Sequence, residues 1–194
     1  MTSNQKSRIE IDYQQWSGFF KELQSESDRG ATILASVWIE HLLERKLSTL
    51  FSKGNAAAQR RLFEYNGPFS AFSSKIDTAY CLGWIDSDAF HDINLVRKIR
   101  NRFAHELHGI ALESSEIRLL IDQFNTPKRY YDDWDDFRAV ASADGTSVIL
   151  HTGDPPDEAG DALDIQRIKY QRVISLLVAE VAASLGLAIR VEKS

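Results

Sequence analysis

Between Gly30 and Phe51 the apolar residues Ile33, Leu34, Val37, Trp38, Leu42, Leu43, Leu47 and Leu50 recur at helical spacing. They cover more than one stripe, so the segment reads as a central, mostly buried helix rather than a surface helix with one wet face. Such an element needs other helices to cover it. Tyr13, Trp16, Phe19, Phe20 and Leu23 mark an amphipathic helix from about Tyr13 to Gln24. Ser27 or Asp28 can cap the central helix. Ala56 to Tyr65 reads as a short helix, ended by Asn66-Gly67-Pro68. Ser70 or Ser73 starts another that runs through Leu82, with Gly83 as its stop. Asp86 or Ser87 caps a long helix to about Leu107, with Phe90, Ile93, Val96, Ile99 and Phe103 facing inward. Ser114 or Ser115 caps a helix from Glu116 to Phe124, ended by Asn125-Thr126-Pro127. A final helix spans Ala162 to Leu185 and stops at Gly186.

About seven helices with short connections predict an all-α, single-domain antiparallel bundle over residues 1–194, with its core in about 30–185. No strand–helix–strand alternation appears, which argues against a nucleotide-binding α/β fold. Residues 130–161 are an irregular insertion: acidic and aromatic from Tyr130 to Asp136, rich in Pro, Gly and acids from Asp154 to Asp161. Between these, Phe137 to Leu150 reads either as a short hairpin around Asp144-Gly145 or as the end of a helix.

At 194 residues, 43% hydrophobic and 26% charged, the chain can bury a core without a covalent staple. Its single cysteine, Cys81, excludes an internal disulfide and a cysteine-based zinc site, and its apolar neighbours predict a buried thiol. Met1 to Glu10 is polar and does not read as a signal peptide, and no apolar run is long enough to span a membrane, so a cytoplasmic protein is expected. The net charge of −5 lacks the broad basic face of a protein that binds DNA through its phosphates.

One local exception stands out. Arg97-Lys98-Ile99-Arg100-Asn101-Arg102-Phe103-Ala104-His105 packs four cations into six residues of an acidic chain. Helical spacing puts Arg97, Asn101, His105 and His108 on one face, with Arg100 beside it. A guanidinium can grip a phosphate, an imidazole can shuttle a proton, and Asn101 could orient either. These are parts for metal-independent RNA cleavage, in which a 2′-hydroxyl attacks the adjacent phosphate. Arg97, Arg100 and His108 could equally form a binding surface. A plainer reading makes Arg100 a structural cation paired with Glu40, since a carboxylate on the central helix costs several kcal/mol without a partner. His105 is then a residue favoured by the helix dipole.

Other candidates are weaker. His105-Glu106-Leu107-His108 lacks zinc-protease spacing, and no metal site is expected. Ser73-Ser74-Lys75 resembles an activated serine only superficially and reads as capping. Asp132, Asp133, Asp135 and Asp136 lack the Gly and distal Glu of a calcium loop. No Gly-rich phosphate loop is present, and no cofactor is expected. The four Trp residues read as core.

The block Gly67-Pro68, Phe72-Ser73-Ser74-Lys75-Ile76, Ala79-Tyr80, Leu82-Gly83, Ile85, Leu95-Val96-Arg97-Lys98-Ile99-Arg100-Asn101 and Phe103-Ala104-His105 resembles the core of the mannitol operon repressor family. Ile165-Gln166-Arg167 with Tyr170-Gln171 is similar to that family's last helix. The likeness runs from about Gly30 to Leu185 and is sharpest from Gly67 to His105. It implies an all-helical bacterial transcriptional regulator without a helix-turn-helix, working through protein partners rather than direct DNA readout, and a homodimer. Arg100-Asn101, three residues and His105 also resemble the signature of HEPN domains. Many of those are dimeric ribonucleases of toxin or defence systems. That likeness implies Arg100 and His105 as a catalytic pair, Asn101 as the polar residue after the Arg, and RNA as substrate. The regulator reading comes first because its resemblance is the longer of the two.

Overall fold

A computed structural model describes residues 10–51, 54–106, 109–129, 137–141, 148–152, 165–186 and 188–190. It contains β1 (Glu10–Asp12), α1 (Tyr13–Ser25), α2 (Asp28–Ser48), α3 (Ala56–Phe63), α4 (Phe72–Cys81), α5 (Ser87–His105), α6 (Ser115–Ile121), β2 (Phe137–Ala141), β3 (Val148–Thr152), α7 (Ile165–Ser184) and β4 (Ala188–Arg190). Short 3-10 turns cover Thr49–Phe51 and Thr126–Arg129. The architecture is the expected all-α bundle of seven helices among the described residues, joined by two small strand pairs.

α2 is the central element and packs against α1, α4, α5 and α7. Its inward face is not the one that hydrophobicity alone selects. Ala31, Thr32, Ala35 and Ser36 are buried beside Ile39, Leu42, Leu43 and Leu47, whereas Ile33 and Val37 are 43% and 51% exposed. Small side chains let neighbouring helices approach closely, and this close approach decides which face turns in. The buried hydroxyls stay satisfied: Thr32 donates to the Arg29 carbonyl and Ser36 to the Ile33 carbonyl.

Local chemistry sets most helix boundaries. Ser27 caps α2 by accepting from Gly30 N–H, Asn55 caps α3 from Ala58 N–H, and Asp86 caps α5 from Ala89 N–H. α4 is the exception. It starts after Ala71 with no side-chain cap, and Ser70 instead donates to the Gly67 carbonyl. Gly83 and Gly186 take the left-handed conformation just beyond α4 and α7 (φ 66° and 70°), where a side chain would be strained. α5 ends at His105, two residues earlier than the periodicity predicts, because Glu106 turns to an extended conformation.

Of the two readings of 137–150, the hairpin is the one formed. β2 and β3 pair antiparallel, with Phe137 opposite Thr152 and Ala141 opposite Val148. The parallel pair β1–β4, which matches Glu10 with Ala188 and Asp12 with Arg190, is not apparent from periodicity. Two other expectations change. Cys81 is exposed, since it lies on the outer side of the last turn of α4. Trp38 and Trp84 are only partly buried against the core, and the side chains of Trp16 and Trp134 lie outside the described residues.

Candidate functional site

The long helix α5 carries the basic cluster. Leu95, Val96, Ile99 and Phe103 are buried at 1% exposure or less and fix the helix in the core. The cluster is thereby forced outward: Arg97, Arg100 and Asn101 are half-buried, and Lys98, Arg102 and His105 are exposed. Side-chain amides on the same helix order two of the guanidinium groups. Arg100 Nη1 donates to Asn101 Oδ1 at 3.0 Å. Arg97 Nε donates to Asn94 Oδ1 at 3.3 Å, and Asn94 in turn donates to the Phe90 carbonyl. Arg102 reaches Glu116 only at 3.9 Å, with both side chains largely in water. Arg97, Asn101 and His105 thus share one face, as spacing predicts. His108 lies outside the described residues, and the helix that should carry it onto that face stops at His105.

The last turn of α5 is held from outside. Arg29, on the first turn of α2, donates to the carbonyls of Phe103 and Glu106, the second at 2.5 Å. These are acceptors at the negative end of the α5 dipole, where a cation is favoured. Asp28 adjoins it, accepting from Leu112 N–H at 2.9 Å and pairing with Arg167 of α7 at 3.3 Å. The start of α2 therefore fastens the segment bearing His105 to α7 and to the chain before α6. Neither Arg29 nor Asp28 stands out in the sequence, because an Arg-Gly after a helix cap looks like ordinary first-turn chemistry.

The expected Glu40–Arg100 pair is not formed. Glu40 pairs with Lys75 of α4, whose Nζ lies 2.7 Å from Glu40 Oε1 and 2.6 Å from Glu44 Oε2. Lys75 is 3% exposed. Burial alone would lower its pKa, but its hydrogen bonds to both carboxylates and their negative charges outweigh that, so the net direction is upward. The structural role given to Arg100 thus belongs to Lys75, and it ties α4, not α5, to α2. A signal existed in the sequence. Glu40 and Glu44 are one turn apart on the central helix, and Lys75 sits among Phe72, Ile76 and Ala79 on the apolar side of α4. Ser73 and Ser74 do not cap α4 as expected, since they lie inside its first turn after the N-cap Ala71.

A second buried polar group joins α5 to the chain after α6. Asp92 is fully buried and accepts from Asn125 N–H at 2.9 Å and Thr126 N–H at 2.7 Å. Burial pushes its carboxyl up from the ordinary range, against those hydrogen bonds. At the start of α5, Arg129 bridges Asp86 and Asp88 at 2.9 and 2.6 Å. Both features brace the helix rather than build a reactive centre.

Chemically, the α5 face offers an ordered guanidinium, an amide beside it and an exposed imidazole one turn on. In one chain these are groups of the kind that can hold an anion and carry a proton, side by side on one helix. Among the described residues, no group of three His, Cys, Asp or Glu side chains is arranged to hold a metal ion. No described helix is long and apolar enough to cross a membrane.

No protein-family model matches the chain, and no curated protein matches it in sequence. Solved structures do match in fold. A chain of the MtlR–HPr complex from Escherichia coli aligns over 86% of this chain and 97% of its own, at 16% identity and a TM-score of 0.59. YggD from Shigella flexneri 2a, a possible transcriptional regulator, aligns over 87% of this chain and 93% of its own, at 14% identity and a TM-score of 0.56. What the chain shares with these two structures is therefore the fold, over nearly the whole length of each.

Proposed function

We propose that this chain is a transcriptional regulator of the mannitol operon repressor type that acts through a protein partner rather than by reading DNA bases. The observation that carries this reading is the likeness in fold to a protein solved as a complex with HPr. The surface agrees with it. Leu82 and Leu119 are large apolar side chains left 46% and 66% exposed. The net charge of −5 opposes tight binding to phosphate backbones. HPr, or a protein like it, is the partner to test first. Titration calorimetry of the full chain with HPr should give a saturable one-to-one complex, weakened by Leu82→Asp or Leu119→Asp. Absence of heat with HPr would remove HPr as the partner. A nanomolar, salt-dependent gel shift on operator DNA would contradict the mechanism itself.

A second reading rests on the α5 face. Arg100 is ordered by Asn101 and forms no salt bridge with a described residue, and His105 is exposed one turn on. Two copies that juxtapose these residues across a homodimer would supply the parts of a metal-independent ribonuclease. In that case labelled single-stranded RNA is cleaved in EDTA by the wild type and not by His105→Ala. No cleavage by either protein would leave Arg97, Arg100 and His105 as a binding surface.

A further inference from the structure

A cleft of about 470 Å³ opens between α1 and α2, sharing no residue with the α5 face. That volume falls in the range of small-molecule sites, about 300–1,000 Å³. Its floor is aromatic: the rings of Phe19 and Trp38 lie 4.5 Å apart between centroids and 42° from parallel. Leu42 is buried beneath, and Val37 is left 51% exposed on the wall. Gly18 lines the opening, at a position where an added Cβ would meet nothing within 4 Å.

The rim is charged. Glu22 comes from α1, and His41 and Arg45 come from α2. Arg45 is half-buried and forms no salt bridge with a described residue, Glu22 included. A half-desolvated guanidinium with no ion pair among the described residues is matched by an oxyanion such as a carboxylate or sulfonate, two oxygens of which it can hold through a pair of hydrogen bonds. The aromatic floor suits a flat ring, which packs on such a surface through area and quadrupole alike.

We propose that this cleft binds a small aromatic acid, with its ring on Phe19, Trp38 and Val37 and its carboxylate or sulfonate on Arg45. The site would make the chain responsive to a metabolite of that class independently of any protein partner, so it stands or falls apart from the reading above. Two dyes of similar shape test it on the full chain. They are the anionic 8-anilinonaphthalene-1-sulfonate and the neutral N-phenyl-1-naphthylamine, followed by dye emission and tryptophan quenching.

The wild type should bind one equivalent of the anionic dye. Gly18→Leu, which adds a bulky side chain to the lining of the opening, should weaken both dyes by about tenfold or more. Arg45→Ala should weaken the anionic dye about tenfold and leave the neutral dye within about twofold, and Arg45→Lys should restore part of the loss. Thermal melts of each variant separate loss of the site from loss of the fold. No saturable binding by the wild type, undiminished binding by Gly18→Leu, or equal losses of both dyes in Arg45→Ala would each overturn the proposal.

Discussion

Replacing Lys75 with Met tests whether the structure assigns the buried ion pair to the right residue. Lys75 is 3% exposed, and Met fills nearly the same volume without charge. The substitution leaves Glu40 and Glu44 facing each other one turn apart on α2 with no cation between them. Removing one partner of a fully buried pair costs about 3–5 kcal/mol. Here the side chains of Glu40 and Glu44 are 24% and 42% exposed, so water recovers part of that loss. A cost of about 2–3 kcal/mol follows. For a chain of this size it lowers the melting temperature by about 5–10 °C. Arg100→Ala supplies the contrast. Arg100 is bonded to its neighbour Asn101 rather than to Glu40, so its loss should cost about 1 kcal/mol or less. Urea unfolding of the two variants at neutral pH measures both. The alkaline limb gives a second check. The pKa of Lys75 lies above 10.5 in the folded chain, so its stabilisation is full below about that pH. It fades as pH rises through the folded value. Lys75→Met should lack this alkaline loss. A melting temperature for Lys75→Met equal to wild type, or a larger loss in Arg100→Ala than in Lys75→Met, would refute the assignment.

Asp86→Ala removes the α5 cap and one partner of Arg129, for a loss of about 1 kcal/mol measured by urea titration. The Ala89 N–H, and then Arg129, hold the Asp86 carboxyl below its usual range. Its contribution is therefore present above pH ~4 and lost on acidification, and a pH series of urea midpoints in the variant should be flatter there. Asp92→Asn puts an amide donor against the Asn125 and Thr126 N–H groups and should cost about 2–3 kcal/mol by the same assay. The wild-type Asp92 carboxyl is raised by burial, so its share runs the other way, fullest in acid and falling as pH rises through the carboxylate range. Gly67→Ala drives a Cβ into the backbone carbonyls of Arg61 and Leu62 and should lower the melting temperature by several degrees in a thermal scan.

How much of this was legible in the sequence depends on what decides each feature. Helix identity and most boundaries are local, set by apolar period and by caps such as Ser27, Asn55 and Asp86, and these are read directly from residue order. Which face of α2 turns inward is not local. Ile33 and Val37 are more hydrophobic than Ala31 and Ser36, yet the small residues win because four helices crowd one axis. The β1–β4 pair joins segments nearly the whole chain apart, and three-residue strands carry no period of their own.

The same division runs through the candidate site. That Arg97, Asn101 and His105 share a face follows from spacing on one helix, while His108, expected on the same face, lies outside the described residues. Partnerships between helices did not follow from spacing. Glu40 required a cation, and the sequence offers both Arg100 and Lys75. Only the packing of α4 on α2 decides that the shorter, more deeply buried lysine takes it. That choice has a consequence for function. With Lys75 meeting the charge on α2, Arg100 carries no structural debt to Glu40. In the second reading proposed above, its guanidinium, ordered by Asn101 and half in solvent, is the group that receives an anion from outside the chain.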